Sequence, residues 1–268
     1  MLIETERLVH PDWPAPVHIG ALTTTRLGGY SVALYGLHKN LPGGLNLGAH
    51  VGDDPDQVMR NRALLAQTLP NRPLWLNQVH GNDVVVLDAH SQPNQIADAA
   101  VTAEPDIVCA VLTADCLPVL FCDRAGRAVG AAHAGWRGLC GGVLEATALA
   151  HAGAAACAPC DQLAWLGPAI GWHKFEVGED VFTAFMTAAL ASEHQATLSA
   201  FYPSANPNKK LCDLYALARI RLRRAGIKHI YGGEYCTFTQ AQYFYSYRRD
   251  GVTGRMASLI WLKNNRAL

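Results

Sequence analysis

Cys116 in Thr113-Ala114-Asp115-Cys116-Leu117-Pro118 and His133 in His133-Ala134-Gly135-Trp136-Arg137-Gly138 each follow an apolar stretch, Ile107–Leu112 and Ala128–Ala132. Both should therefore emerge where a buried strand ends, the usual place for chemistry in an α/β protein. His80, in Leu76-Asn77-Gln78-Val79-His80-Gly81, follows a third strand-like run. A catalytic zinc takes three protein ligands and keeps a fourth position open, and imidazole and thiolate are both good ligands for it. His80, Cys116 and His133 fit that description, although their separations match no short ligand motif. The same residues also suit a Cys116 thiolate nucleophile with His133 or His80 as base. The second histidine, which a dyad does not need, favours the metal. A third reading is a buried free cysteine with two hydrogen-bonded histidines. Asp115, beside Cys116, is read as a proton carrier or as an anchor of the strand end. Of the remaining histidines only His50, enclosed by glycines in Gly48-Ala49-His50-Val51-Gly52, stands out.

Arginines form the second informative group. Thr23-Thr24-Thr25-Arg26-Leu27-Gly28-Gly29-Tyr30-Ser31 puts hydroxyls, a guanidinium and exposed backbone in one loop, a composition suited to an oxyanion such as phosphate. Tyr247-Arg248-Arg249-Asp250-Gly251 and Thr253-Gly254-Arg255 supply further guanidinium groups near the C-terminus. Phosphate is therefore expected at Arg26, or at Arg248 or Arg249. Trp136 and Arg137 read either as wall and clamp of a pocket or as the start of a helix.

The elements that must position these groups alternate along the chain. Strands are expected at Val17–Thr25, Leu74–Val79, Val84–Asp88, Ile107–Leu112, Val119–Cys122, Ala128–Ala132, Leu163–Leu166, Ile230–Cys236, Tyr243–Arg248 and Met256–Leu262. Helices are expected from Asp54-Pro55 to about Leu69, from Gly138 to about Ala152, over Glu179–Leu190 and over Asp213–Ala225, where Leu214, Leu217, Ala218 and Leu222 share a face. The one polar, Pro-containing stretch, Tyr202–Lys210, is too short to separate domains. The reading is one α/β domain spanning 1–268 with an extensive mixed sheet.

Half of the 268 residues are hydrophobic, so the chain can bury a core without disulfide staples. Lys plus Arg equals Asp plus Glu at 22 each, which leaves no overall positive field to recruit nucleic acid or an anionic membrane. A small-molecule partner and a monomer are expected. The start, Met1-Leu2-Ile3-Glu4-Thr5-Glu6-Arg7, carries acids where a secretory leader has bases, and no apolar run spans a bilayer, so a cytoplasmic location is expected. The eight cysteines lie in strand-like or Ala-rich contexts and read as reduced thiols. Cys157 and Cys160 form a lone Cys-x-x-Cys in a loop and receive no role.

These motifs, with Thr24-Thr25-Arg26, Asn46-Leu47-Gly48-Ala49-His50-Val51-Gly52-Asp53-Asp54-Pro55, Asn61-Arg62, Gln78-Val79-His80-Gly81, Gly167-Pro168-Ala169-Ile170-Gly171, Phe175-Glu176-Val177-Gly178, Cys236-Thr237 and Tyr245-Ser246-Tyr247-Arg248-Arg249-Asp250-Gly251, run in one order. In that order the chain, from about Ala21 to Leu262, resembles the multicopper-oxidase-like laccase-domain family of bacterial purine nucleoside phosphorylases and polyphenol oxidases. A peptidoglycan editing factor is among its members. The resemblance implies a layered α/β/β/α sandwich with mixed sheets rather than a doubly wound sheet. It implies zinc on His80, Cys116 and His133, with copper for an oxidase activity, and suggests phosphorolysis of adenosine, inosine, guanosine and methylthioadenosine together with deamination of adenosine. Asn46 and Gln78, within the shared motifs, are taken as substrate- or phosphate-binding. Two other functions stay open: a copper-dependent phenol oxidase and an editing factor acting on cell-wall precursors, with Cys116 as hydrolytic nucleophile. The segment Val32–Leu45, with Lys39 and Leu41-Pro42-Gly43-Gly44, departs from the family's shorter Pro-Tyr segment and is expected to border the pocket.

Overall fold

The computed structural model describes residues 3–264, so Met1 and Leu2 of the acidic start and residues 265–268 of the expected 1–268 unit lie outside the described residues. Two sheets stack through their apolar faces. The front sheet orders Leu8–Val9, Ile19–Thr24, Met256–Leu262 and Cys109–Thr113, all antiparallel. The back sheet orders His229–Gly232, Gln162–Leu166, Leu117–Asp123, Val129–Ala134, Ala99–Thr102 and Val84–Val86. Its two outer pairs are parallel and its inner pairs antiparallel, which makes it mixed.

Leu117–Asp123 and Val129–Ala134 are buried at every residue, as strands covered on both faces must be, and this is why they read as continuous apolar runs. Ile19, Val111 and Ile260 of the front sheet meet Leu120, Val129 and Trp165 of the back sheet in one core. On the far face of the back sheet, Val119 and Ala132 pack under Leu144 and Ala148 of the helix Val143–Ala155 and Leu217 and Leu222 of the helix Leu214–Arg224. On the far face of the front sheet, Leu22, Ala110 and Leu259 pack against Leu64 and Leu65 of the helix Pro55–Ala66. The order helix, sheet, sheet, helix is the expected layered sandwich.

Local chemistry accounts for where helices start. The Asp54 carboxylate accepts from the Asp56 N–H ahead of Pro55, and Asp213 accepts from Ala216. The helix expected from Gly138 is instead two, Trp136–Gly141 and Val143–Ala155, broken at Gly142 in a left-handed conformation. Trp136 thus starts a helix, and Arg137 lies over its ring.

Two expected strands do not form. Leu74–Val79 makes only isolated bridges, Leu74 to Cys109 and Asn77 to Ile96. Beside it the Gln78 side chain takes the place of a strand neighbour, accepting from the Leu112 N–H and donating to the Leu112 carbonyl. In Tyr243–Arg248 the backbone turns instead into a short helix, Tyr247–Asp250, because the Ser246 hydroxyl caps the Arg249 N–H. The polar stretch 202–210 lies in a hairpin of a small three-stranded sheet formed by Glu176–Gly178, Lys209–Cys212 and Phe201–Pro203.

Candidate active site and metal centre

Cys116 lies in the turn between the last strand of the front sheet, Cys109–Thr113, and the central strand of the back sheet, Leu117–Asp123. His133 sits at the end of the neighbouring strand, Val129–Ala134, whose register pairs Pro118 with His133. His80 comes from the loop after the failed strand. The thiol and the two imidazoles offer ligand atoms within 4.8 Å of one another. The Cys116 Sγ lies 3.9 Å from His80 Nε2, and the two imidazole rings meet edge to face with centroids 4.7 Å apart. A soft thiolate with two borderline imidazoles is a donor set that fits zinc or copper, so this group could hold a metal ion. It is the only such group of His, Cys, Asp or Glu among the described residues, and neither Cys157 nor Cys160 belongs to it.

The arrangement rests on Asp98, which the sequence reading passed over. Its carboxylate is fully buried and accepts N–H groups from Val79, His80 and Gly81, at 3.1, 3.0 and 2.7 Å. It also accepts from His133 Nδ1 at 2.7 Å, while its own carbonyl takes the His133 N–H. One carboxylate therefore fixes the loop that carries His80, a residue at φ 60, and presents Nε2 of His133 to the ligand cluster. Burial raises the Asp98 pKa, but the His133 and backbone hydrogen bonds outweigh this and leave it depressed. The signal in the sequence was an acid flanked by alanines in Ala97-Asp98-Ala99-Ala100, since a buried charge there needs partners.

Burial alone would raise the Cys116 pKa, but the charge and hydrogen bonding of His133 and then His80 outweigh it and favour the thiolate. Burial disfavours charge on His133, and the thiolate and Asp98 reverse this, so its pKa rises. The strands approach closely enough that Gly135 has no alternative. A Cβ there would lie 2.9 Å from His80 Cδ2 and 3.1 Å from Cys116 Sγ.

The cluster opens into a cavity of about 480 Å³ lined also by His50, Leu76, Asn77, Tyr247 and Arg255. That volume suits a small-molecule substrate. Thr113 lines it too, and its buried hydroxyl has no partner among the described residues.

The structure redistributes the other expected site residues. Arg26 is buried, its fork spent on the Gly36 carbonyl, at 3.2 and 2.8 Å, and on that of Ala241, and it stacks on Tyr245. It does not line the cavity. Arg249 is equally committed, bridging Asp250 and the carbonyls of Thr237, Phe238 and Phe244. Arg248 donates to the Glu176 carbonyl over the Phe175 ring. Asp115, at φ 99, accepts the Thr237 hydroxyl and the Arg248 N–H on its two oxygens, both at 2.6 Å. It therefore anchors the strand end to the 236–250 segment. Gln78 lines the cavity while its amide clamps Leu112. Asn46 is fully buried, bonded to Gly48, Asp53 and the Arg255 N–H, and so helps to position Arg255. No residue of Val32–Leu45 lines the cavity. That loop is fastened through Tyr35, whose carbonyl accepts the Tyr245 hydroxyl.

Residues 20–263 match the family described as multi-copper polyphenol oxidoreductase laccase. The chain belongs to this family. Among its relatives, the purine nucleoside phosphorylase YfiH of Escherichia coli is 50% identical over 96% of this chain and 99% of its own. The purine nucleoside phosphorylase of Haemophilus influenzae is 46% identical over 95% and 99%. Solved structures superpose along nearly the whole chain. A Neisseria meningitidis protein is 49% identical with a TM-score of 0.85, covering 96% of this chain and all of that one. YlmD of Geobacillus stearothermophilus is 30% identical with a TM-score of 0.86, covering 98% of each. All eight cysteines of this laccase-domain protein are free, and no helix among the described residues is long and apolar enough to cross a membrane.

Proposed function

We propose that the cavity catalyses phosphorolysis of the purine nucleosides adenosine, inosine, guanosine and methylthioadenosine, with zinc on His80, Cys116 and His133, and deaminates adenosine as a second activity. The observation that carries this reading is the His-Cys-His cluster opening into a small-molecule cavity, in a chain whose relatives are named purine nucleoside phosphorylases. In phosphorolysis a phosphate oxygen bonds to the anomeric carbon as the glycosidic bond breaks. The bonding pair leaves with the purine, which takes up a proton, and ribose 1-phosphate remains. The site must therefore hold phosphate and nucleoside together and stabilise charge that develops on both sides of the sugar.

A zinc ion held by His80, Cys116 and His133 would supply Lewis acidity. The chain's own residues orient the reactants. Tyr247 is exposed on the cavity lining and offers its ring face to a planar base. Asn77 lines the cavity with no side-chain hydrogen bond to another described residue, which leaves its amide for a base edge. Asp98 keeps the His133 ring in one orientation throughout. A coupled copper oxidase needs several metal sites. With one ligand group among the described residues, that reading has less support.

The test is metal analysis of protein purified without added metal, followed by incubation with inosine. About one zinc per chain, and release of hypoxanthine only when phosphate is present, is the expected result. Hypoxanthine release independent of phosphate, or none at all, overturns the reading.

A further inference from the structure

We infer that Arg255 and His50 form an oxyanion subsite in the wall of the cavity, and that its ligand is inorganic phosphate. The inference rests on the phosphorylase reading and assigns the anion, which Arg26 and Arg249 do not face, to residues that do.

Three observations support it. First, Arg255 is the guanidinium on the cavity lining and is only partly spent. Its Nη1 donates to the Thr253 and Gly254 carbonyls, both at 3.1 Å, while Nε and Nη2 make no hydrogen bond or ion pair with any described residue. A guanidinium edge with two adjacent donors and no carboxylate partner matches two oxygens of a tetrahedral anion.

Second, that edge is built rather than loose. The Arg255 N–H donates to Asn46 Oδ1 at 2.8 Å, its carbonyl accepts the Leu47 N–H, and Asn46 is itself held by Asp53. Gly48 packs against the Arg255 stem so closely that a Cβ there would lie 2.7 Å from Arg255 Cγ. The segment 46–53 thus fixes the arginine from beneath and delivers His50 to the same lining.

Third, two guanidinium groups act on His50. Burial, then Arg255 and Arg62, push the His50 pKa down, so near neutral pH the imidazole is uncharged and supplies one N–H donor. The acidic groups in range of Arg255 are the Cys116 thiol, then Asp115, Tyr247 and Tyr35, and Asp115 accepts a hydrogen bond from Thr237 and from Arg248 on its two oxygens.

The subsite is tested on the intact, metal-loaded protein with Arg255→Lys, which keeps the charge and loses the fork, and Arg255→Met, which loses both. With inosine saturating, the apparent KM for phosphate should rise about tenfold in the lysine variant and about a hundredfold in the methionine variant, with metal content and KM for inosine close to wild type. Calorimetric titration with inorganic phosphate in the absence of nucleoside should show binding to wild type that is lost in Arg255→Met. Parallel titration with adenosine 5′-monophosphate distinguishes a free phosphate from a phosphoryl group carried on a nucleotide. Loss of nucleotide binding with inorganic phosphate binding retained overturns the assignment. An unchanged phosphate KM in an active variant also overturns it while leaving the phosphorylase reading intact. Phosphate binding that depends on Arg255, in a wild-type protein that cleaves no inosine, upholds the subsite and removes the phosphorylase reading instead.

Discussion

Two groups of residues line the same cavity and are held by different means. His80, Cys116 and His133 sit where the two sheets meet, locked by strand register and by one buried carboxylate. Arg255 and His50 come from loops that lean on each other through the Asn46 side chain. The cluster brings its candidate ligand atoms within 4.8 Å of one another, whereas the arginine keeps part of its fork unspent. Rigid elements suit a metal, whose coordination distances vary little. A substrate anion that arrives and leaves is better served by a donor that is held along its stem and open at its tip.

The strongest way to break the comparison is to remove a ligand. Cys116→Ala and His133→Ala should each bind less than about a tenth of the wild-type zinc and lose turnover, yet unfold cooperatively, because both side chains lie at strand ends rather than in the apolar layers. Full zinc occupancy in either variant would take that residue out of the coordination sphere. The same pair carries a pH signature in metal-free protein. With His133 and His80 holding the Cys116 pKa below the usual 9.0, the thiol should alkylate rapidly at pH values where an ordinary thiol is protonated, and slow only as pH falls further. In His133→Ala the alkylation profile should move back up in pH, since burial then acts with less opposition.

A graded effect is expected at Asp98. Asp98→Asn keeps the shape but loses the charge that four N–H groups point at. The His133 ring loses its orienting acceptor, and the left-handed turn at His80 loses its tether. Zinc affinity, measured by competition with a chelator, should fall about 10–100-fold without being abolished. An affinity equal to wild type would mean that the loop and ring are held by packing alone.

These two groups also divide what could be read from the chain. Cys116 and His133 were legible because each follows a run of apolar residues that burial in a sheet requires; the same runs gave one α/β domain with a mixed sheet, while the layering came from the family resemblance. His80 was legible as a residue type but not by its support. The strand expected before it does not form, since Gln78 satisfies the edge of the neighbouring strand with its side chain. Asp98 and Arg255 were not assigned because their roles depend on contacts made across 35 and 209 residues of chain, to His133 and Asn46. Local composition carries no trace of such contacts. The glycines beside Arg26 suggested exposed backbone for an anion. Folding instead brings the Gly36 and Ala241 carbonyls onto the guanidinium.

The mildest change at the cavity, and the sharpest contrast with Arg255, is expected from Arg26→Lys. Lysine keeps the positive charge, so an anion-binding role at position 26 would survive in part, with a raised phosphate requirement. A structural role makes the opposite split. The ammonium cannot span the Gly36 and Ala241 carbonyls as the fork does, and it loses the flat stack on Tyr245. Stability should drop by about 1–3 kcal/mol, the scale of one or two charge-assisted hydrogen bonds. The loss should be read from denaturant midpoints with an unchanged slope. At a temperature where both proteins are folded, the apparent KM for phosphate should stay within about twofold of wild type, and zinc content should not change. The two arginines would then differ in kind, one fastening the 26–45 loop to the 241–245 segment and the other serving the cavity. A phosphate KM raised in Arg26→Lys as much as in Arg255→Lys would dissolve that distinction and return Arg26 to the site.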